Sequence, residues 1–227
     1  MTQKLTILFD LDGTLVNTAP DLMNAHNYVM KKYGYDEREL SAIKKLAGRG
    51  SKVMLTRSMH EIAELSGKIK KTEDVIEEMT KEFIDYYSKN IVKESTLKNG
   101  LLNFLSWCKK NSISMAVCTN KQEHLSIDLL KKIKIYHFFD YVAGGNTFNH
   151  NKPNPRHLTD TLEIVGGNIK KTIMIGDSET DSNASKSANI PFILIDDGYT
   201  EKKSNEIYHN HLVKDFVGLE KIIEKYL

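Results

Sequence analysis

Short apolar runs recur along the chain at residues 5–9, 114–118, 141–144, 172–175 and 192–195. Each is close to the length of an ordinary strand and apolar nearly throughout. That pattern predicts strands buried on both faces of a parallel sheet rather than strands with one wet face. Between the runs, apolar positions fall at helical spacing. Leu101, Leu102, Leu105 and Cys108 form one stripe, Leu125, Leu129, Leu130 and Ile133 another, and Leu158, Leu162 and Val165 a third, with Ala184 and Ala188 following the fourth run. This alternation predicts an α/β fold with a doubly wound parallel sheet and a Rossmann-like core.

The rhythm is interrupted once. For about 80 residues after Leu15 the pattern reads as helix throughout. Pro20 and Asp21 open a helix whose apolar face is Leu22, Ala25, Val29 and Met30, and Gly34 ends it. Further helices are predicted over 39–47, 51–65 and 73–89, separated at Gly48-Arg49-Gly50 and around 67–72. An all-helical insert in this position predicts a cap domain, 16–91, on the ligand-binding edge of a core formed by 1–15 and 92–227. A last helix is expected over 216–226.

Composition narrows the class. With 227 residues, 40% apolar and 27% charged, the chain can bury a proper core and is not of disordered type. Its 32 basic and 30 acidic side chains give no electrostatic footprint for nucleic acid or for an anionic membrane. No run approaches the roughly 18 apolar residues of a membrane span, and the first residues enter a strand with no signal-peptide pattern. Cys108 in a helical stripe and Cys118 at a strand end read as core-filling thiols. The expectation is a cytoplasmic protein, monomeric or weakly homodimeric, whose partner is a small molecule.

In open α/β sheets, ligands bind beyond the carboxyl ends of the strands, and the chemically capable residues collect there. The first strand is followed by Asp10-Leu11-Asp12-Gly13-Thr14-Leu15. Two carboxylates two residues apart project the same way from an extended strand end and can divide their roles, one staying ionised and the other holding a proton. Asp-Gly also occurs in plain turns. The fourth strand leads into Gly176-Asp177-Ser178-Glu179-Thr180-Asp181, where Asp177 and Asp181 are one helical turn apart. Oxygen-only donors without Cys or His suit Mg²⁺ rather than zinc, although Asp177 or Ser178 also fits a helix cap. Thr119-Asn120-Lys121 follows the second strand and offers a hydroxyl, an amide and backbone N–H groups to an anion. Lys152, before Pro153, follows the third. Singly these signals are modest; in this order, each at a strand end, they supply parts for holding a cation, cradling a phosphoryl group and attacking it.

On those residues the chain resembles the haloacid dehalogenase superfamily, over nearly its whole length and including the helical cap. Within it, the segments Val117-Cys118-Thr119-Asn120-Lys121, Lys152-Pro153-Asn154-Pro155, Ala47-Gly48-Arg49-Gly50 and Asp197-Gly198-Tyr199-Thr200 are similar to bacterial phosphoglycolate phosphatases. Two positions depart from that group's pattern, Asn99 where proline is expected and Asn146 where aspartate is expected. The resemblance implies a Mg²⁺-dependent phosphoric monoester hydrolase of carbohydrate metabolism, converting 2-phosphoglycolate to glycolate and phosphate. Asp10 would be the nucleophile, forming an aspartyl-phosphate, and a metal ligand. Asp12 would serve as acid and then base, with its backbone carbonyl on the metal. Asp177 would be a further metal ligand, with Asp181 orienting metal-bound water or Lys152. Thr119, Asn120 and Lys152 would hold the phosphoryl oxygens.

Arg49, between two glycines of the cap, is the candidate for the substrate's carboxylate, since a guanidinium suits one; an exposed loop arginine fits the same sequence. Alternative substrates are another sugar phosphate, a nucleotide or pyrophosphate. A sugar-phosphate mutase and a noncatalytic phospho-ligand binder are the more distant readings. His124, His157, His209 and His211 have no partner at metal-ligand spacing and read as surface or packing residues. Met54, Met59 and Tyr86-Tyr87 are expected on apolar cap faces, and the paired lysines, such as Lys70-Lys71, on solvated ones.

Overall fold

A computed structural model describes residues 4–66 and 73–227. In chain order its main elements are β1 (Thr6–Phe9), β2 (Val16–Asn17), α1 (Ala19–Lys32), α2 (Leu40–Leu46), α3 (Ser51–Ser66), α4 (Glu73–Lys89), β3 (Thr96–Leu97), α5 (Leu101–Lys110) and β4 (Ser114–Cys118). They continue with α6 (Glu123–Lys132), β5 (Tyr141–Ala143), α7 (Arg156–Ile164), β6 (Thr172–Gly176), α8 (Glu179–Ala188), β7 (Phe192–Ile195), β8 (His211–Val213) and α9 (Glu220–Ile223). The expected break around 67–72 and the lysines at 70 and 71 lie outside the described residues, as do the first three.

The main sheet has the order β5-β4-β1-β6-β7-β8, with every pairing parallel. Strand side chains alternate between two apolar layers. Ile7, Phe9, Val117, Ile175 and Ile195 join one, which includes side chains of α5, α6 and α9. Leu8, Ala116, Cys118, Met174 and Leu194 join the other, under Leu158 of α7 and Ala184 and Ala188 of α8. Because both strand faces are buried, the runs are apolar without alternation, as the doubly wound expectation requires. The chain winds from β1 out to β4 and β5, then returns to β6 on β1's other side. That reversal opens a crevice at the carboxyl end of β1.

Between β2 and β3 the chain runs through helices α1–α4 as an insert. The chain leaves and re-enters the sheet domain through the short antiparallel pair β2–β3, which the apolar pattern did not reveal. Asp21, in the first turn of α1, is 1% exposed. Its carboxylate accepts the N–H groups of Glu94 and Ser95 and the Ser95 hydroxyl, at 2.6–3.1 Å, so it fastens the start of the insert to its end. His26 and Ser58, both buried, meet at 3.0 Å and join α1 to α3. Burial holds the His26 imidazole below its ordinary pKa. Met54, Met59 and Tyr87 are buried within the insert, while Tyr86 stacks on Tyr28 at 4.3 Å.

One expectation needs correction. The chain end forms only a four-residue helix, α9, followed by a single 3₁₀ turn, because Gly218 (φ +75°) breaks the helical path after Phe216. The edge strand β8 was not anticipated. It is three residues long with no buried side chain, and so carries no apolar signature. Among the described residues no helix is long and apolar enough to cross a membrane.

Candidate active site

Asp10 follows the last residue of β1, and its N–H still donates to Ile175 O at 2.9 Å. Its carboxylate is therefore fixed at the crevice between β1 and β6. It is 6% exposed, with the ammonium of Lys152 at 2.8 Å from Oδ1. That ammonium also lies 2.6 Å from Asp181 Oδ1. Asp10, Asp177 and Asp181 each present an oxygen within 4.8 Å of the others, all buried. Desolvation, partly offset by Lys152 and reinforced by Asp181, pushes Asp10 up to about 6. Desolvation and then repulsion from Asp10 and Asp181 push Asp177 up to about 8. The same two carboxylates hold the Lys152 ammonium above its ordinary pKa against the opposing cost of burial.

The local chain explains this convergence. Gly13 has φ +87°, and a Cβ there would stand 2.3 Å from Asp177 Oδ2, so only glycine lets the first loop pass the second carboxylate. Asp177 then accepts the Thr14 hydroxyl and the Tyr199 N–H, each at 2.6 Å. Asp181, in the first turn of α8, accepts the Asp177 and Ser178 N–H groups and the Ser178 hydroxyl on Oδ2, leaving Oδ1 for Lys152. Helix capping and site building are thus one function of one side chain. Asp181 already meets four donors, whereas Asp177 accepts one on each oxygen and Asp10 meets Lys152 on Oδ1, so Asp10 and Asp177 are the carboxylates with lone pairs left for a metal. Buried, oxygen-only and mutually repelling, this donor set fits Mg²⁺.

Asp12 points to different partners. Its Oδ1 accepts the Thr18 hydroxyl at 2.7 Å, and both oxygens lie 3.0 Å from the ammonium of Lys121. The two aspartates therefore divide through separate lysines more than through repulsion, to which Asp12 contributes least among the causes acting on Asp10.

The remaining expected residues fall into three groups. Thr119, 2% exposed, accepts the Lys121 N–H on Oγ1 at 3.2 Å, which leaves its hydroxyl hydrogen for an anion. Asn120 is beside it, but its amide nitrogen donates to Lys152 O at 2.9 Å and to Gly48 O at 3.2 Å. Its side chain thus ties the insert's loop to the lysine's backbone instead of offering that amide to the crevice. Arg49 lines the same cavity, of about 290 Å³, with Asp10, Asp12, Thr119 and Lys121. Its guanidinium, however, is paired with Glu179 at 3.2 Å.

Sequence reasoning missed two contributors, Lys121 and Tyr199, and read a third, His157, as a surface or packing residue. Lys121 is 8% exposed and grips Asp12; in the sequence it stands only as the end of a motif. Tyr199 accepts the Ala19 N–H on its hydroxyl and donates that hydroxyl to Asn17, so it links Asp177 to the root of the insert. His157 is fully buried and accepts the Lys152 N–H on Nδ1 at 3.2 Å. Burial, with Lys152 nearby, pushes its imidazole down to about 3, so it is a neutral packing residue that steadies the lysine's backbone.

A buried trio of carboxylates and an ammonium thus stands at the switch point of a parallel sheet. The chain belongs to the haloacid dehalogenase-like hydrolase family, whose model matches residues 7–195. It is 33% identical over 213 residues to the phosphoglycolate phosphatase of Mesorhizobium japonicum, covering 94% of this chain and 92% of that one. It is also 33% identical over 223 residues to the phosphoglycolate phosphatase of Agrobacterium fabrum, covering 96% and 94%. A crystal structure described as a predicted phosphoglycolate phosphatase from Haemophilus somnus superposes with a TM-score of 0.91 at 28% identity, over 98% of this chain and 99% of that one.

Proposed function

We propose that the protein is a Mg²⁺-dependent phosphatase that hydrolyses 2-phosphoglycolate to glycolate and phosphate through an aspartyl-phosphate on Asp10. The single observation that supports it most is the packing of Asp10 and Asp177 with Lys152 and Asp181 in one buried cluster. The substrate reading rests on the relatives named above, which carry that activity in their names.

Asp10 and Asp177, with the Asp12 backbone carbonyl, would hold Mg²⁺, which when bound offsets negative charge on nucleophile and phosphoryl oxygens. An Asp10 oxygen attacks phosphorus, and the bond to the alcohol oxygen breaks as Asp12 gives that oxygen a proton. Water then attacks the same phosphorus, Asp12 takes its proton, and the Asp10–phosphorus bond breaks to release phosphate. Lys152 counters charge on the transferring group, and Asp181 holds Lys152 in line. The Thr119 hydroxyl and the backbone at Asn120 cradle phosphoryl oxygens. Arg49 remains the candidate for the substrate's carboxylate, by exchanging Glu179 for it. In this reading 16–91 acts as a cap on a core of 1–15 and 92–227, excluding water during the first transfer. The protein works in the cytoplasm as a monomer or weak homodimer.

The test is phosphate release with Mg²⁺ from 2-phosphoglycolate beside sugar phosphates, nucleotides and pyrophosphate, with Asp10→Asn as the blank. Preference for phosphoglycolate that vanishes in the variant is the expected result. Asp10-dependent preference for another phosphomonoester replaces the substrate and keeps the chemistry. No Asp10-dependent release from any of them overturns the proposal.

A further inference from the structure

Two lysines are buried beside the aspartates of the first loop, and each takes one of them. Lys152 faces Asp10, and Lys121 faces Asp12. Asp12 has its role in the proposed chemistry, whereas its partner Lys121 has none. The side chains of Lys121 and Asp12 are 6% and 13% exposed. Removing two charges from water costs several kcal/mol each before pairing, so such a pair is weak as a source of stability and strong as a means of fixing direction.

An ammonium has three N–H donors, and those of Lys121 can be accounted for. Two partners are the Asp12 oxygens, each at 3.0 Å, and the third is the hydroxyl of Tyr87 at 2.9 Å. None remains for a phosphoryl oxygen or a substrate carboxylate. Tyr87 is 1% exposed and belongs to α4, in the helical insert. Its ring also lies under the ammonium, 4.3 Å from centroid to Nζ. At the other end of the pair, Thr18 and Lys121 both meet Asp12 Oδ1, whereas among the described residues Lys121 alone meets Oδ2. Oδ2 is therefore the oxygen with capacity left to exchange a proton with a leaving group.

We infer that Lys121 is a positioning residue that aims Asp12 Oδ2 at the leaving-group oxygen, and that Tyr87 sets Lys121 from the helical insert. The inference rests on the proposed role of Asp12 as proton donor. Lys121 touches neither substrate nor metal; it acts through Asp12.

The measurement is the first-turnover rate at saturating substrate with Mg²⁺, for two leaving groups. An alkyl phosphate, 2-phosphoglycolate or whichever the panel favours, needs a proton on departure, whereas p-nitrophenyl phosphate does not. A general acid contributes roughly 10²–10⁴-fold, so a misaimed one should cost Lys121→Met about tenfold or more on the alkyl phosphate and under about threefold on the aryl one. Combining Lys121→Met with Asp12→Asn should cost nothing beyond Asp12→Asn alone. Tyr87→Phe, which keeps the buried ring, should show the same split in weaker form, and Lys121→Arg should recover part of the loss. Equal loss on both substrates, a raised KM with kcat unchanged, or additive effects in the double variant each overturn the inference. If Lys121→Met does not fold, the split in Tyr87→Phe decides, and its absence overturns the inference equally. Wild-type protein with no Asp10-dependent release from either substrate removes the phosphatase reading and this assignment with it, a result distinct from an active wild type whose Lys121→Met variant behaves like it.

Discussion

The carboxylate cluster should make the metal-free protein lose stability as pH rises through neutrality. Asp177 is pushed up to about 8, first by desolvation and then by Asp10 and Asp181, from an unfolded value of 3.8. Between those values the folded state holds a proton that the unfolded state has released. Stability therefore falls with rising pH, and the fall is complete once pH passes the folded pKa. Across a window from pH 6.5 to 8.5, His26 and His157 are neutral in the folded state but half protonated in the unfolded one at the acid end, so they oppose the fall by at most about 0.4 kcal/mol each, and Asp177→Asn supplies the reference slope. Across that window a single carboxyl with a folded pKa of about 8 costs about 2 kcal/mol. For a chain of this size that corresponds to roughly 4–8 °C in Tm.

The assay is thermal unfolding in a chelator at several pH values in that window, repeated with saturating Mg²⁺ and with Asp177→Asn. In the chelator Tm should drop across the window, and the variant should lose that slope because its amide does not titrate. Metal ligands must be deprotonated, so the increment from Mg²⁺ should be larger at the alkaline end. A Tm that is flat or rising from pH 6.5 to 8.5 in chelator would refute the argument. So would an Asp177→Asn variant that keeps the wild-type slope.

Two further outcomes follow from buried groups outside the catalytic cluster. Asp21→Ala leaves the N–H groups of Glu94 and Ser95 without their acceptor, and should cost about 2–4 kcal/mol in denaturant unfolding; a loss under about 0.5 kcal/mol would show that the root of the insert is held elsewhere. Burial pushes the thiols of Cys108 and Cys118 up to about 12, so neither should react with a thiol reagent at neutral pH until the protein unfolds, and labelling of native protein within minutes would contradict the packing.

What was legible in the sequence depended on periodicity and on residue type at strand ends. The strands β1, β4, β5, β6 and β7 carry apolar residues on both faces, so their runs stood out, as did the long helices of the insert with their one-sided stripes. The pair β2–β3 is two residues per strand and β8 has no buried side chain, so neither carries a pattern that burial would impose. The departures at Asn99 and Asn146 have local explanations that a single sequence hides. Asn146 Oδ1 accepts the Glu123 N–H at 2.8 Å, so an amide oxygen caps α6 as a carboxylate would. Asn99 donates to Asp215 beside Gly100, whose φ of +76° already makes the turn into α5.

Among candidate site residues, Asp10, Asp12, Asp177 and Asp181 stood out through their order at successive strand ends, since singly each also fits a plain turn or a helix cap. Lys121 and Lys152 differ in this respect only by chance of setting. A proline beside Lys152 marked it, whereas Lys121 resembled any lysine near the start of a helix. Its partner Asp12 is 109 positions away in the chain, and Tyr87 is 34 away. Pairings of that kind are fixed by the winding of the sheet and the docking of α4. Tyr87 was expected only as an apolar face residue, and its buried ring satisfies that expectation while its hydroxyl reaches the site.

The charge balance of the crevice links these observations. Asp12 and Lys121 neutralise each other, so they add no net charge to the neighbouring cluster. There, Asp10, Asp177 and Asp181 share one ammonium, which leaves two negative charges in excess in a buried space. A protein can shed such an excess by taking up protons or by binding a cation. The raised pKa values of Asp10 and Asp177 are the first route, and a divalent cation on the same oxygens is the second, matched in charge to the excess. In the proposed mechanism a phosphate ester would bring further negative charge to this place, so of the two routes only the cation would leave Asp10 ionised to attack it. The excess of charge would then favour a hard divalent ion at the pH where that nucleophile must be free of a proton. Keeping Asp12 apart, on its own lysine, would let the proposed proton donor work beside that ion without joining its ligands through its side chain.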